Sequence, residues 1–202
     1  MFRTGNPPSV PSLTAPINNA LQTTVNPYLD WSPSTFPSGT TFGYYHVQID
    51  NDPAFGSLEY DAGVGGDSIT VFPDLAYGMK YYWRVRAFNT DSEYSAWSLV
   101  RYFRIAYAAP TLTLPLDAAT GVARKPTFTW GTITGATSYN LQVSTSATFT
   151  GLLAINRTVS VPTYTHTLNL AASTTYYWRV RANGAFGPGF WQSPVFSFTT
   201  GL

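Results

Sequence analysis

The sequence predicts an all-β protein made of two antiparallel β-sandwiches in series. Residues 81–87, YYWRVRA, return unchanged as residues 176–182, so the chain holds two copies of one unit. Apolar and polar side chains alternate along both segments, as they do in a half-buried strand. Charged residues make up only 10% of the chain, against roughly 25% in ordinary soluble domains. No stretch keeps a 3.6-residue apolar period, so we expect almost no helix.

The repeat divides the 202 residues into three parts: a proline-rich extended lead-in at residues 1–10, a first domain at residues 11–106 and a second at residues 107–202. Each domain is long enough to bury a core of its own. Residues 105–110, IAYAAP, are too short and too apolar for a flexible tether. We therefore expect a semi-rigid rod.

Each copy predicts seven strands, A, B, C, C′, E, F and G, in the same order. The tryptophans of strands B and F lie at core-facing positions of the alternation, so all four are predicted to be buried. They are Trp31, Trp83, Trp130 and Trp178. The other segments are residues 11–16, 27–31, 45–49, 58–61, 68–72 and 100–105 in the first copy and 110–115, 126–130, 139–143, 153–157, 163–168 and 195–199 in the second.

A leucine precedes the first tyrosine of strand F by six residues in both copies, Leu75 before Tyr81 and Leu170 before Tyr176. The pattern Leu-x5-Tyr-x-aromatic-x-Val-x-Ala resembles the tyrosine corner and strand F of fibronectin type III domains. The resemblance implies two immunoglobulin-like (fibronectin type III) sandwiches in tandem, of the kind found in bacterial surface or secreted proteins.

Residues 94–98, YSAWS, are similar to the Trp-Ser-x-Trp-Ser box of the cytokine-receptor members of that superfamily. In those proteins the strand F arginines stack between the aromatic rings of the box, so the resemblance implies a structural ladder rather than a ligand patch. The second copy departs further from the box and keeps one tryptophan. The implied members are Arg84, Arg86, Tyr94, Trp97, Arg179, Arg181 and Trp191.

The B–C loop of the first copy is five residues longer than that of the second, and this loop, within residues 32–43, carries two phenylalanines. They either cover the end of the core or bind a ligand, because loops of this kind carry the binding sites of sandwiches. With other outward-facing and loop aromatics they form the set of candidate ligand contacts. The set is Phe36, Phe42, Tyr82, Tyr177, Phe186 and Phe190.

The titratable residues do not form an evident reactive site. The chain has two histidines, no cysteine and ten carboxylates spread over strand ends and loops, and it lacks a Gly-x-Ser-x-Gly motif. Residues 50–52, DND, suggest a calcium ligand set, but the second copy makes the same turn with STS, which favours an Asx turn. We predict no catalytic residue, no metal site and no cofactor.

Composition also bears on partners. A net charge of +1 argues against nucleic acid, and no apolar run is long enough to insert into a membrane. Residues 1–8 contain no apolar segment like that of a signal peptide. Residues 1–105 carry six Lys/Arg and nine Asp/Glu, and residues 106–202 carry five and one. Oppositely charged halves suggest head-to-tail self-association. Alternatively, apolar surface at an exposed Tyr107, the loop aromatics and the proline-rich lead-in could join chains irrespective of charge.

Two functions follow from these observations. We expect a non-catalytic structural or adhesive module, secreted or at a bacterial cell surface, that acts as a spacer or binds protein or polysaccharide there. The alternative is a carbohydrate-binding accessory module of a secreted polysaccharide-degrading enzyme. Exposed aromatics that bind sugar rings would distinguish the second from the first.

Overall fold

The computed structural model describes residues 5–202, and within them the chain forms strands and no helix. It divides into two compact units, the first ending at Ile105 and the second beginning at Ala106. Each unit has two sheets, and the apolar faces of the strands form a separate core in each. The predicted all-β fold with two sandwiches is confirmed.

Eight strands make up the first unit. One sheet has the order β1-β3-β6 and the other the order β2-β8-β7-β4-β5. The strands are β1 (Leu13–Ala15), β2 (Ala20–Gln22), β3 (Tyr28–Trp31), β4 (Phe42–Asp50), β5 (Tyr60–Val64), β6 (Ser68–Thr70), β7 (Lys80–Asn89) and β8 (Arg101–Ile105).

The second unit repeats this plan and adds a two-residue strand. Its sheets have the orders β14-β11-β9 and β10-β17-β15-β12-β13, and β16 pairs with β15. The strands are β9 (Leu112–Leu114), β10 (Ala119–Val122), β11 (Thr127–Trp130), β12 (Ser138–Ser144), β13 (Ile155–Val159), β14 (Thr163–Thr165), β15 (Thr175–Gly184), β16 (Gly187–Pro188) and β17 (Phe196–Thr200).

Strand F of each unit, β7 or β15, supplies the centre of the core. Tyr81, Trp83, Val85 and Ala87 are buried and alternate with half-buried side chains along β7, as the pattern predicted. The same alternation continues in β15. All four tryptophans of strands B and F are at most 4% exposed, so their predicted burial is confirmed.

A tyrosine hydroxyl ties the start of strand F to the preceding turn in both units. The backbone N–H of Ala76 donates to Tyr81 Oη at 2.9 Å, and that of Ala171 donates to Tyr176 Oη at 3.1 Å. The leucine that precedes each turn is 5% exposed. The hydroxyl thus satisfies a turn amide while the ring stays in the core, which is the arrangement expected of a tyrosine corner.

The prediction of a single strand A, and so of seven strands, is wrong. In the first unit β1 pairs antiparallel with β3, whereas β2 pairs parallel with β8 in the other sheet. Pro16 lies between the two segments, and a proline has no N–H with which to continue a ladder. Pro115 separates β9 from β10 in the same way. Strand A therefore crosses between the sheets and covers the edge of strand G.

Strand C′ begins later than predicted. It runs from Tyr60 to Val64, because Val64 pairs with Tyr45 and is 9% exposed against the core. Gly63, predicted to lie in a loop, is therefore part of this strand. The equivalent strand β13 is likewise displaced toward its C-terminal end.

The part of the predicted lead-in that the structure describes lies against the loops of the first unit, and residues 1–4 lie outside the described residues. Ser9 N–H donates to the Thr35 carbonyl at 3.0 Å, and Thr35 N–H donates back to Ser9 Oγ at 2.8 Å. Asn6 N–H donates to Glu93 Oε1 at 3.1 Å. Residues 5–10 thus have no regular secondary structure but hold the B–C loop in place.

Tyr107 is not exposed, contrary to the prediction. It is 6% exposed and belongs to the core of the second unit, with its hydroxyl donating to the Gly135 carbonyl at 3.2 Å. Gly184 and Gly189 leave room for it, since a Cβ at either would overlap Tyr107 atoms. Tyr107 therefore provides no apolar surface for joining chains.

A β-bulge at the start of β4 separates two neighbouring aromatic side chains. The register shifts between Phe42 and Tyr44, so that Phe42 contacts Tyr45 and Tyr44 stacks on Phe88. Gly43 sits at the bulge, and a Cβ there would lie 2.8 Å from the Asn89 carbonyl oxygen. Only glycine allows the two backbones to approach this closely.

Replacing Gly43 by alanine is expected to destabilise the first unit by about 1–3 kcal/mol, because backbone atoms must move to admit the methyl group. Gly56→Ala is the control, since the nearest atom to its added Cβ is 3.9 Å away. Urea denaturation measures both variants. Equal stability of the two would show that the bulge does not require glycine.

Candidate functional site

A stack of cations and rings covers the outer face of strands C and F in the first unit. The Arg84 guanidinium lies 3.9 Å from the Phe55 ring centroid and 4.3 Å from that of Trp97. Arg86 lies 4.4 Å from Trp97 and 4.6 Å from Tyr94. We call this set the arginine ladder. Trp97 is shared by both cations, so the ladder is one continuous contact.

The second unit has a shorter version of the same ladder. Arg179 lies 4.0 Å from the Phe149 centroid and 4.4 Å from that of Trp191, and Arg181 lies 4.5 Å from Trp191. No ring takes the place of Tyr94 beyond Arg181 among the cation–ring contacts of residues 5–202. The structure thus brings together, unit by unit, all seven residues predicted to form the ladder.

Two ladder members were missed by sequence reasoning, Phe55 and Phe149. Both have φ of 57°, in the left-handed region that a bulky residue rarely adopts. The turn that precedes each one differs in sequence between the copies, DNDPAF against STSATF, but the aromatic remains. The signal in the sequence was a phenylalanine kept in both copies although the five residues before it all differ. Stacking on an arginine offsets the cost of the backbone conformation.

The serines of the YSAWS segment hold Trp97 over the arginines. Ser95 Oγ accepts from Ala87 N–H at 3.0 Å, and Ser98 Oγ accepts from Val85 N–H at 3.1 Å. Both serines are buried. The two serines thus let an irregular segment pair with β7. Both belong to the YSAWS segment whose resemblance implied the ladder.

Side-chain oxygens and nitrogens of strand C accept the arginine N–H groups. Arg84 donates to Gln48 Oε1 at 3.0 and 2.7 Å, and Arg179 donates to Gln142 Oε1 at 3.0 and 2.8 Å. Arg181 donates to Asn140 Oδ1 at 3.0 Å. Neutral acceptors thus replace carboxylates, and no carboxylate in residues 5–202 pairs with these arginines.

The guanidinium groups carry an electrostatic cost. Burial, followed by repulsion from Arg86, lowers the pKa of Arg84, and burial followed by repulsion from Arg181 lowers the pKa of Arg179. Ring faces and amide oxygens offset this cost, because both interact favourably with a cation.

His46 is also occupied by its neighbours. Its Nδ1 accepts from Arg86 at 3.2 Å, since an arginine can only donate, and its Nε2 contacts Asp61 Oδ1. Both ring nitrogens are thus engaged by neighbouring side chains. Within residues 5–202 no three His, Asp or Glu side chains are grouped as a metal site would require.

The DND turn is organised by one buried carboxylate. Asp50 is fully buried, and its two oxygens accept from the N–H groups of Asp52 and Ser57, each at 3.0 Å. In the second unit Ser144 Oγ accepts from Ser146 N–H at 3.0 Å. Asp50 therefore serves the turn, as the Asx interpretation expected.

Two of the six candidate ligand aromatics lie together. The Phe36 and Phe42 rings are 5.8 Å apart and meet edge to face at 77°. Phe36 is half-buried against the core, and Phe42 is 37% exposed and lies at the start of β4 rather than in the predicted loop. With Tyr45 and Asp67 they line an open depression of about 350 Å³, which we call the loop-end depression.

The remaining candidates do not join this pair. Tyr82 lies opposite Asp50, at the far end of β4 from Phe42, and its ring is 4.6 Å from Lys80 Nζ. In the second unit Tyr177 lies opposite Ser144, whereas Phe186 and Phe190 flank the short strand β16. Within each unit, therefore, the candidate aromatics do not form one platform.

Comparison with known proteins identifies the fold. A two-domain fibronectin type III segment from chicken tenascin superposes with a TM-score of 0.56 at 14% identity, covering 95% of this chain and 99% of that one. The two units are fibronectin type III-like domains in tandem. The FN1–FN3 domains of chicken CNTN1 also match, at 21% identity and a TM-score of 0.37, over 96% of this chain and 67% of that one.

A second comparison matches the first domain alone. A family model described as the Rha78A-like, N-terminal immunoglobulin domain matches residues 14–109. No curated protein matches the chain. Fibronectin and immunoglobulin domains are typically non-catalytic modules and are commonly extracellular. No helix that could cross a membrane occurs in residues 5–202.

Replacing one arginine in each ladder tests whether the loss of stability depends on the number of rings that the cation contacts, because both replacements remove one positive charge. Arg86 contacts three rings and Arg181 contacts one. We expect Arg86→Ala to destabilise the first fibronectin domain by about 1–3 kcal/mol and Arg181→Ala to destabilise the second by about 0.5–2 kcal/mol. Urea denaturation followed by NMR resolves the two domains.

Any ligand binding should survive Arg86→Ala if the ladder is structural. Loss of binding with unchanged stability would assign Arg86 to a ligand site instead.

We expect His166 to make the second domain sensitive to acid. Burial, and then repulsion from Arg157, lowers its pKa, so the native state binds fewer protons than the unfolded state. The free energy of unfolding should therefore fall as pH drops below about 6.5, the ordinary histidine value. We expect a smaller fall between neutral and mildly acidic pH in His166→Gln, measured by urea denaturation. An identical pH dependence in both proteins would exclude His166 as the cause.

Proposed function

We propose that the chain is a non-catalytic structural or adhesive module of a secreted or cell-surface protein of bacterial origin. The observation that carries the proposal is the arginine ladder in both domains. It engages the outward-facing arginines of strand F, and the rings of the segments that flank strands C and F, in internal contacts. A sheet face occupied in this way stabilises the fold and leaves few groups with which to do chemistry.

Other features support the same proposal. Two titratable groups, His46 and Asp50, are both engaged in holding neighbouring segments. The family model that matches the first domain describes an N-terminal immunoglobulin domain, the part of a longer protein that precedes others. The small size of each domain and the presence of two copies are both consistent with a module attached to a larger protein.

A panel of hydrolase substrates tests the absence of catalysis, and binding to whole bacterial polysaccharides and to extracellular proteins tests adhesion. Turnover of any substrate that is lost on mutating His46 and Asp61 together would overturn the proposal, because those residues form the one His–carboxylate contact in residues 5–202. No turnover, with or without binding, is the expected result.

A carbohydrate-binding accessory module is the second candidate, and the loop-end depression favours it. The depression places two phenylalanine rings next to a carboxylate, and aromatic rings with a few polar groups are typical of ligand sites. Affinity electrophoresis in gels that contain insoluble or soluble polysaccharides measures this function. If migration is unretarded in every gel, the carbohydrate-binding candidate fails and only the structural role remains.

The charge difference between the domains supports self-association through unlike surfaces. Sequence counts give the first domain a net charge of −3 and the second a net charge of +4. Copies that meet through these domains would attract each other and could extend head to tail. Because Tyr107 is buried, charge rather than that ring must supply the attraction.

Sedimentation velocity at low and high sodium chloride tests this attraction. We expect association at low salt that weakens as salt rises, because charges farther apart than about 8 Å are screened at physiological ionic strength. A chain that stays monomeric at low salt and high protein concentration has no such partner. Association that strengthens with salt would indicate apolar contacts instead.

A further inference from the structure

We propose that the loop-end depression of the first domain binds a neutral saccharide, with Phe42 and Phe36 contacting the sugar ring and Asp67 and Ser34 accepting or donating hydrogen bonds to its hydroxyls. The inference rests on the carbohydrate-binding candidate above and assigns its site. The following observations carry it.

The first observation is a buried hydroxyl with no partner. Ser34 lines the depression and is 8% exposed, and its Oγ has no hydrogen-bond partner within residues 5–202. An unsatisfied buried hydroxyl is costly, so one that persists at the wall of a depression requires an explanation. Ser34 therefore places at this wall a polar group that no other atom in residues 5–202 satisfies.

The second observation is a direct comparison with the second domain. Ser34 and Ile133 are equivalent, because the N–H of each donates to the hydroxyl of the strand C tyrosine, Tyr45 or Tyr139. The second domain thus places an apolar side chain where the first places a hydroxyl. The fold needs no polar group at this position.

The opposite wall of the depression is also more polar and more open in the first domain than in the second. Asp67 and Pro162 are equivalent, because the carbonyl of each accepts from the N–H of the strand B tryptophan. Gly66 therefore corresponds to Val161, which is 52% exposed. A Cβ added at Gly66 would meet nothing within 4 Å, so this glycine leaves the depression open. The first domain has a carboxylate and free space where the second has apolar side chains.

The aromatic wall belongs to the first domain too. Its longer B–C loop supplies Phe36, the bulge at Gly43 directs Phe42 toward Tyr45, and the hydrogen bonds between Ser9 and Thr35 hold the loop beside Ser34. The site is thus largely pre-formed, as small-molecule sites usually are. A volume of about 350 Å³ lies at the small end of the usual range of roughly 300–1,000 Å³.

The chemistry of the walls selects a neutral ligand with one apolar face and a polar rim. Sugar rings have this character, since their C–H faces contact aromatic rings while their hydroxyls reach carboxylates. A net charge of −3 on the first domain disfavours anions such as phosphates and uronates.

NMR titration of the full chain tests the assignment. The probes are cellotetraose, xylotetraose and mannotetraose, with tetragalacturonate and tetramethylammonium as contrasting ligands. We expect at least one neutral tetrasaccharide to shift the amide signals of Ser34, Gly66 and Asp67, and the two charged probes to leave them unchanged. Stronger shifts with either charged probe, or shifts confined to other residues, would overturn the assignment.

Matched variants locate the contacts. Phe42→Ala and Gly66→Val should each weaken binding of the responding sugar by about tenfold or more, the loss of roughly 1.4 kcal/mol. Phe72→Ala is the control and should leave binding unchanged, because Phe72 is a 77% exposed ring of the first domain that does not line the depression. Circular dichroism shows that each variant is folded.

The outcomes separate the site from the function. If the wild-type chain binds a sugar and Phe42→Ala, Gly66→Val and Asp67→Asn bind it equally well, carbohydrate binding stands and this site is wrong. If no neutral probe shifts any amide signal, and no polysaccharide retards the chain in a gel, both the site and the carbohydrate-binding candidate fail.

Discussion

The stacking of arginine on aromatic rings across strands C and F is the contact on which the outer face of each domain depends. It joins three segments that are separate in sequence: strand F, the segment that carries Trp97 or Trp191, and the turn that ends at Phe55 or Phe149. Because a guanidinium offers two faces and a planar fork of donors, one side chain can bind two rings and a glutamine at once. A lysine at Arg84 could not do so, which explains why both copies keep arginine.

The sequence predicted the structure best at positions where the fold allows only one environment for a side chain. The alternation along strand F and the tyrosine corner require large apolar residues at fixed spacing, so the pattern identified the buried tryptophans and the fold. It was less successful where a backbone changes direction. The crossing of strand A at Pro16, the bulge at Gly43 and the displaced start of strand C′ depend on pairing partners distant in the chain. Phe55 was missed for the same reason, since only the fold brings its turn to Arg84.

The sequence could not show which candidate ligand residues lie close together, and the reason is physical. Exposure and ring type can be inferred from parity and loop composition, but proximity cannot. Tyr82 and Phe42 both belong to the outward or loop aromatics of the first domain, yet they lie at opposite ends of β4. Ser34 and Asp67 carried no signal in the sequence, because serine and aspartate are ordinary loop residues. Only the hydrogen bonds that align them with Ile133 and Pro162 revealed a difference.

The two copies therefore separate what the fold requires from what it leaves free. Strand F, the tyrosine corner and the arginine ladder recur with nearly the same distances, so they answer constraints common to both domains. The B–C loop and the turn before strand E differ, and they differ together: a longer loop, a hydroxyl, a glycine and a carboxylate all occur in the first domain and in none of the equivalent positions of the second. Because all four differences fall at one depression, they give the first domain a polar and accessible surface where the second has apolar side chains. The fold does not require this surface, and it is the surface that the proposed saccharide would contact.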